Sequence, residues 1–193
     1  CYIYNNIGLN YSEQGNYEQA LKYFQPALQI QEEIGDVNGV AASYQNIGSA
    51  YLHLRDFEQS ERNLNLSIET YDTLNDKVGI ISSYISLSVL KTWLRDYQDA
   101  EKNINRALTL AKETGNREKM MDAHYKYARL DSAKGIFDSS LYHYKEYASL
   151  KDSLFNESKS KEIGKLEAQY EFEKEQEEVT DYELPEENKG FSL

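Results

Sequence analysis

Large apolar residues recur along the chain at spacings of three and four, the pattern of helices buried along one face. Tyr4, Ile7 and Tyr11 form one such line, and Ala20, Phe24 and Ala27 form a second. Between them, Gly15-Asn16-Tyr17 predicts a short reversal. The motif then returns at a fixed offset of 40 residues, with reversals at Arg55-Asp56-Phe57, Arg95-Asp96-Tyr97 and Gly135-Ile136-Phe137. Four in-phase copies without insertion predict a repeat array, in which each unit is a helical hairpin.

The register keeps small residues beside large ones. Gly8, Gly48, Ser88 and Ala128 align next to Ile7, Ile47, Leu87 and Tyr127, while Ala20, Ser60, Ala100 and Ser140 align ahead of Phe24, Leu64, Ile104 and Tyr144. Small positions let two helices approach closely and bulky neighbours fill the space between them. Asn16, Asp56 and Asp96 are expected to cap the second helix of each unit, with Gln19, Gln59 and Asp99 three residues on, as in a capping box. Ile136 breaks that pattern in the fourth unit. Gly35-Asp36, Asn75-Asp76 and Gly115-Asn116 are suited to end one hairpin and start the next, whereas Phe155-Asn156 departs from the pattern.

Taken together, Tyr4, Ile7, Gly8, Tyr11, Ala20, Phe24 and Ala27 resemble the signature of the tetratricopeptide repeat in its 40-residue form, over residues 2 to 156. The third copy has Lys91 in place of Tyr11 and Tyr51, and the fourth copy departs most. The resemblance implies an all-α fold: a right-handed α-α superhelix of four hairpins (about 1–36, 37–76, 77–116 and 117–156) plus a C-terminal acidic helix. It further implies a protein–protein interaction module that binds a peptide or protein segment in a concave groove lined by the first helix of each hairpin. Carried over position by position, the groove residues are Asn5, Asn6, Gln45, Asn46, Ser49, His53, Ser86, Val89, Trp93, Tyr125, Lys126 and Arg129, with Ile85 on the same line.

Each candidate has a plain structural alternative. The carboxamides of Asn6 and Asn46 suit a peptide backbone, having both donor and acceptor, or else bridge neighbouring helices. Lys126 and Arg129 place positive charge suited to a ligand carboxylate, or are solvated helix charges. Trp93 is either a binding anchor or a packed aromatic. Leu9 and Ser86 occupy places where the chaperone-tail-binding members of the family need polar or cationic groups, which disfavours that ligand.

Charge and composition narrow the function further. A net charge of −12 and a pI near 4.8 argue against nucleic acid, whose binding needs clustered Lys and Arg, and an acidic balance disfavours anionic membranes. No phosphate-loop or dinucleotide fingerprint occurs, since Gly164-Lys165 is followed by Leu166. His53, His124 and His143 form no metal-ligand spacing, so structural or surface roles are expected for all three. No catalytic cluster, cofactor or metal is expected.

Residues 157–193 hold twelve acidic and five basic residues, a net −7 of the total −12. Residues 157–180 are expected to form an acidic helical linker or cap, whose Ile163, Leu166 and Tyr170 make a narrow apolar stripe suited to capping the array or to pairing with a second copy as a homodimer. Residues 181–193, with Pro185 and Gly190, are expected to be flexible or extended. The join from Lys151 to Glu171 resembles the linker of bacterial tetratricopeptide sensor histidine kinases and related regulators, widespread in Bacteroidetes, which implies an input region ahead of a signalling output. Helical periodicity starting beside Cys1 suggests a fragment of a longer chain; a lipoprotein also begins with Cys, but a spacer would be expected. The compartment, bacterial cytoplasm or periplasm, stays open.

Overall fold

The computed structural model describes the backbone of residues 2–183 and the side chains of residues 2–172. It is helical throughout: α1 (Tyr2–Glu13), α2 (Tyr17–Ile34), α3 (Val37–Leu54), α4 (Phe57–Thr73), α5 (Lys77–Trp93), α6 (Tyr97–Glu113), α7 (Arg117–Lys134) and α8 (Phe137–Glu183).

The helices end where the turn chemistry predicts. A left-handed residue stands at every twentieth position, at Gly15, Gly35, Arg55, Asn75, Arg95, Gly115 and Gly135. At all but the last of these, the following residue caps the next helix: Asp36 accepts from the Gly39 amide at 2.9 Å, Asp76 from the Val78 and Gly79 amides at 3.0 Å, and Asn116 from the Lys119 amide at 3.0 Å. Asn16, Asp56 and Asp96 accept in the same way from Gln19, Gln59 and Asp99 at 3.2–3.3 Å.

The capping-box expectation needs correction in one respect. The reciprocal bond, from the cap's own amide to the side chain three residues on, is not made. The amides of Asn16, Asp56 and Asp96 already donate to the carbonyls of Tyr11, Tyr51 and Lys91 in the preceding helix. A tight reversal uses that donor first.

Phe155, the next residue in the twenty-residue series, lies inside α8. Lacking a residue that readily adopts the left-handed conformation, the chain continues as helix to Glu183 rather than reversing. The expectation of extended chain from 181 falls on three helical residues and then, from 184 onward, outside the described residues.

The two helices of each of the first three hairpins pack together, and α2, α4 and α6 each pack on the first helix of the next hairpin; α7 meets α8 through Ala128–Ser140, His124–His143 and Tyr125–Tyr147. The odd-numbered helices also adjoin in series, α1 to α3, α3 to α5 and α5 to α7. Stacked hairpins of this kind form a tetratricopeptide-type superhelix, and the odd helices make one continuous face.

In the interior, a Cβ on Gly48 would stand 2.8 Å from Leu64 Cγ, so only glycine permits this approach. Where the small residue is serine, its hydroxyl is satisfied: Ser60 donates to the Gly48 carbonyl at 2.8 Å, Ser140 to that of Ala128 at 2.8 Å, and Ser67 and Ser83 bond at 3.0 Å. Lys91, the departure in the third repeat, pairs with Glu61 at 2.7 Å.

Internal contacts divide the chain into two units, Cys1–Lys151 and Asp152–Leu193. The first holds the repeat array. In the second, residues 152–172 are helical, and Phe155, Ile163, Leu166, Tyr170 and Phe172 are all more than half exposed.

Candidate functional site

On the odd-helix face, a cavity of about 380 Å³ lies between α5 and α7. Val89 and Trp93 supply one wall, Lys126, Arg129 and Leu130 the other, and Arg95 closes the turn end. Four of the residues expected in the groove from sequence thus share one site. Trp93 ends α5, which leaves its ring 36% exposed, with the edges of His53 and Phe57 approaching at 6.3 and 6.1 Å between centroids.

His53 is itself stacked on Tyr17 at 4.3 Å, nearly parallel. Partial burial lowers its pKa from the ordinary 6.5, and the positive charge of Lys126 lowers it further. A row of rings, Tyr17, His53 and Trp93, therefore leads across successive repeats into the cavity.

The other candidates sit along the same face. Ser49 and Ser86 bring their hydroxyls to 3.5 Å and link α3 to α5. Asn6 is exposed and Asn46 half-buried, and neither carboxamide is hydrogen-bonded among the described residues, so neither bridges helices. Gln45 is likewise half-buried. The Asn5 side-chain oxygen is buried without a partner. Tyr125 packs on Tyr147 of α8 at 5.1 Å and receives the Lys126 ammonium over its ring at 5.3 Å. Ile85 does not belong to the face: at 3% exposure it lies in the hydrophobic core among Ile81, Ile104 and Tyr127.

Sequence reasoning missed two groupings. Arg55 and Arg95 stand at turns rather than on the inner helices, yet the Arg55 guanidinium lies over the Trp93 ring at 5.2 Å and Arg95 lines the cavity. Their signal was the 40-residue register itself, which puts glycine at the same place in the first and fourth repeats. The second grouping is a buried pair: the Nδ1 atoms of His124 and His143 meet at 2.9 Å, with Tyr127 stacked on His143 at 4.0 Å and Asp131 Oδ2 4.0 Å from His143 Nε2. Burial lowers both imidazole pKa values from 6.5.

Among the described residues no group of three or more metal-ligating side chains comes together, and no helix is long and apolar enough to cross a membrane.

Comparison with known proteins agrees with this architecture. Residues 1–73 match the tetratricopeptide repeat family. The crystal structure of BtubC (BKLC) from P. vanneervenii superposes with a TM-score of 0.66 at 22% sequence identity, over 79% of this chain and 63% of that one, a likeness of fold alone. No curated protein matches the chain. Tetratricopeptide repeats in general mediate protein–protein interaction and are generally non-catalytic. The chain therefore has a tetratricopeptide-type helical-repeat fold, with the family match extending over residues 1–73.

Proposed function

We propose that this chain is a protein-interaction module that receives a peptide or protein segment along the face of α1, α3, α5 and α7, as the input region of a bacterial signalling protein. The observation that carries the binding reading is the cavity between α5 and α7, where an exposed tryptophan and two cations converge on a continuous helical face. An aromatic anchor in a concave site beside fixed charges is the usual composition of a binding hot spot. Free carboxamides at Asn6 and Asn46 extend the surface with groups able to bond a backbone irrespective of side chains. The signalling context rests on the resemblance of residues 151–171 to sensor-kinase linkers.

The test is binding of the 193-residue chain to an array of random dodecapeptides, compared with an Asn46→Ala, Trp93→Ala and Arg129→Ala triple variant. The reading expects peptides held by the parent and lost by the variant. An identical set for both proteins, or an empty array, would rule out the groove.

A second reading, self-assembly, is favoured by one observation: Ile163, Leu166 and Tyr170 are exposed along a helix whose spacing places them on one stripe. Sedimentation of the chain with and without residues 157–193 separates the two, since only assembly through the tail helix requires a dimer that the truncation abolishes.

A further inference from the structure

Seven turns of the array need a left-handed residue, and five are filled by glycine or asparagine, which tolerate that conformation. The remaining two are Arg55 and Arg95, at φ 62° and 60°. At the same place in the first and fourth repeats stand Gly15 and Gly135, at φ 76° and 78°. An arginine there is strained relative to glycine, and strain of this kind concentrates at functional positions. Both strained arginines serve one place: Arg55 covers the Trp93 ring at 5.2 Å and Arg95 lines the cavity that Trp93 walls.

The same cavity holds Lys126 and Arg129. Among the described residues, Arg55, Arg95 and Arg129 have no carboxylate within ion-pair distance, and Lys126 has only Asp122 at 4.0 Å. Four other lysines among the described residues are closely paired, as in Lys77–Glu113 at 2.8 Å and Lys91–Glu61 at 2.7 Å. A chain with a net charge of −12 therefore gathers four cations with little internal neutralisation around its single tryptophan.

We propose that Arg55, Arg95, Lys126 and Arg129 form an anion-binding site around Trp93, and that its ligand is an acidic polypeptide segment carrying several Asp or Glu side chains. The inference rests on the groove reading and adds the chemical class of the ligand. Guanidinium groups match carboxylates in planar, two-pronged geometry, and the tryptophan ring gives the apolar stems of such a segment a surface to lie on. The continuous odd-helix face beside the cavity suits an extended chain, and a volume of about 380 Å³ admits side chains rather than a folded domain.

Trp93 is the only tryptophan, so its fluorescence reports the site directly. The probe is a tryptophan-free dodecapeptide of alternating glutamate and alanine, titrated into the 193-residue chain, with its glutamine counterpart and tripolyphosphate as comparisons. The expected result is a saturable emission change with the glutamate peptide that weakens as salt is raised, at least about tenfold weaker binding of the glutamine peptide, and a weaker response to tripolyphosphate. The Arg55→Gly, Arg95→Gly double variant should bind the glutamate peptide about tenfold more weakly while unfolding at the same or a higher denaturant concentration, because glycine relaxes both turns. Equal affinity in the double variant, or equal binding of the glutamine peptide, would overturn the inference while leaving the groove reading intact. Equal or tighter binding of tripolyphosphate would reassign the site to phosphoryl groups and overturn it likewise. If the random array also yields no ligand, the groove reading itself falls.

Discussion

Arg55 and Arg95 show how a residue's backbone conformation can carry more information than its contacts. A non-glycine residue in the left-handed region costs about 1 kcal/mol. Arg55→Gly is therefore predicted to leave stability unchanged or raise it by up to about 1 kcal/mol, measured by urea unfolding; a clear loss would mean that the guanidinium on Trp93 is structural. Gly48 presents the opposite case, since a Cβ there meets Leu64 at 2.8 Å and the Leu64 backbone nitrogen at 3.1 Å. Gly48→Ala should lower stability by about 1–3 kcal/mol, read from the same transition. The need for a small residue at 48 was legible, because the large-small alternation records packing. The cluster around Trp93 was not, because Arg55 and Arg95 lie at turns, off the helical periodicity. The His124–His143 pair is separated by 19 residues, and no local spacing brings it together; only the fold, which puts His124 where Tyr4 meets Tyr23, does so.

That pair sets a pH dependence with a definite sign. A single Nδ1···Nδ1 bond requires one ring to donate and the other to accept, so it survives only while at least one ring is neutral. Burial lowers both pKa values; the His143 ring lowers that of His124 further, Lys112 acts in the same sense on both rings, and Glu146 on both and Asp131 on His143 act against these effects. With folded values below the unfolded 6.5, the unfolded state binds protons first. Stability is thus full above pH 6.5 and declines as pH falls below it. The urea midpoint of the parent should drop between about pH 7.5 and 5.5 by more than that of a His124→Tyr variant, which restores the aromatic residue of the other repeats; equal drops would show that the pair does not titrate as described.

Among the helices, the seven left-handed positions fall in an unbroken twenty-residue series, and all but the last, Gly135-Ile136, are followed by an Asn or Asp cap. Cap strength should follow the bonds observed. Asp76 accepts from two amides at 3.0 Å and Asp56 from one at 3.2 Å. Asp76→Ala is accordingly predicted to cost about 1–2 kcal/mol and Asp56→Ala about 0.5–1 kcal/mol, with the order, measured in one unfolding series, as the decisive outcome. The capping-box bond was misread from sequence because pattern alone does not reveal that the cap amide already serves the previous helix. The departure at Phe155-Asn156 was visible in the sequence: Asn156 could cap a helix, but Phe155 stands where the seven earlier turns have a left-handed Gly, Asn or Arg.

For the molecule as a whole, the period of 40 residues determines the architecture, since hairpins that cannot bury both faces alone must stack. The continuous face of odd-numbered helices follows from that stacking, and the sequence predicts a groove lined by the first helix of each unit. In the proposed reading, recognition lies in the departures from the repeat: a lone tryptophan at 93, cations at 126 and 129, and arginines at two turns where the first and fourth repeats have glycine. Such residues escape periodicity because recognition, unlike packing, is not repeated. The measurement that bears most directly on this account is amide hydrogen exchange of the 193-residue chain with and without the tightest peptide from the random array. Protection concentrated on α3, α5 and α7, strongest at 89–93 and 126–130, is the predicted result; protection confined to α2, α4 and α6, or to α8, would contradict it.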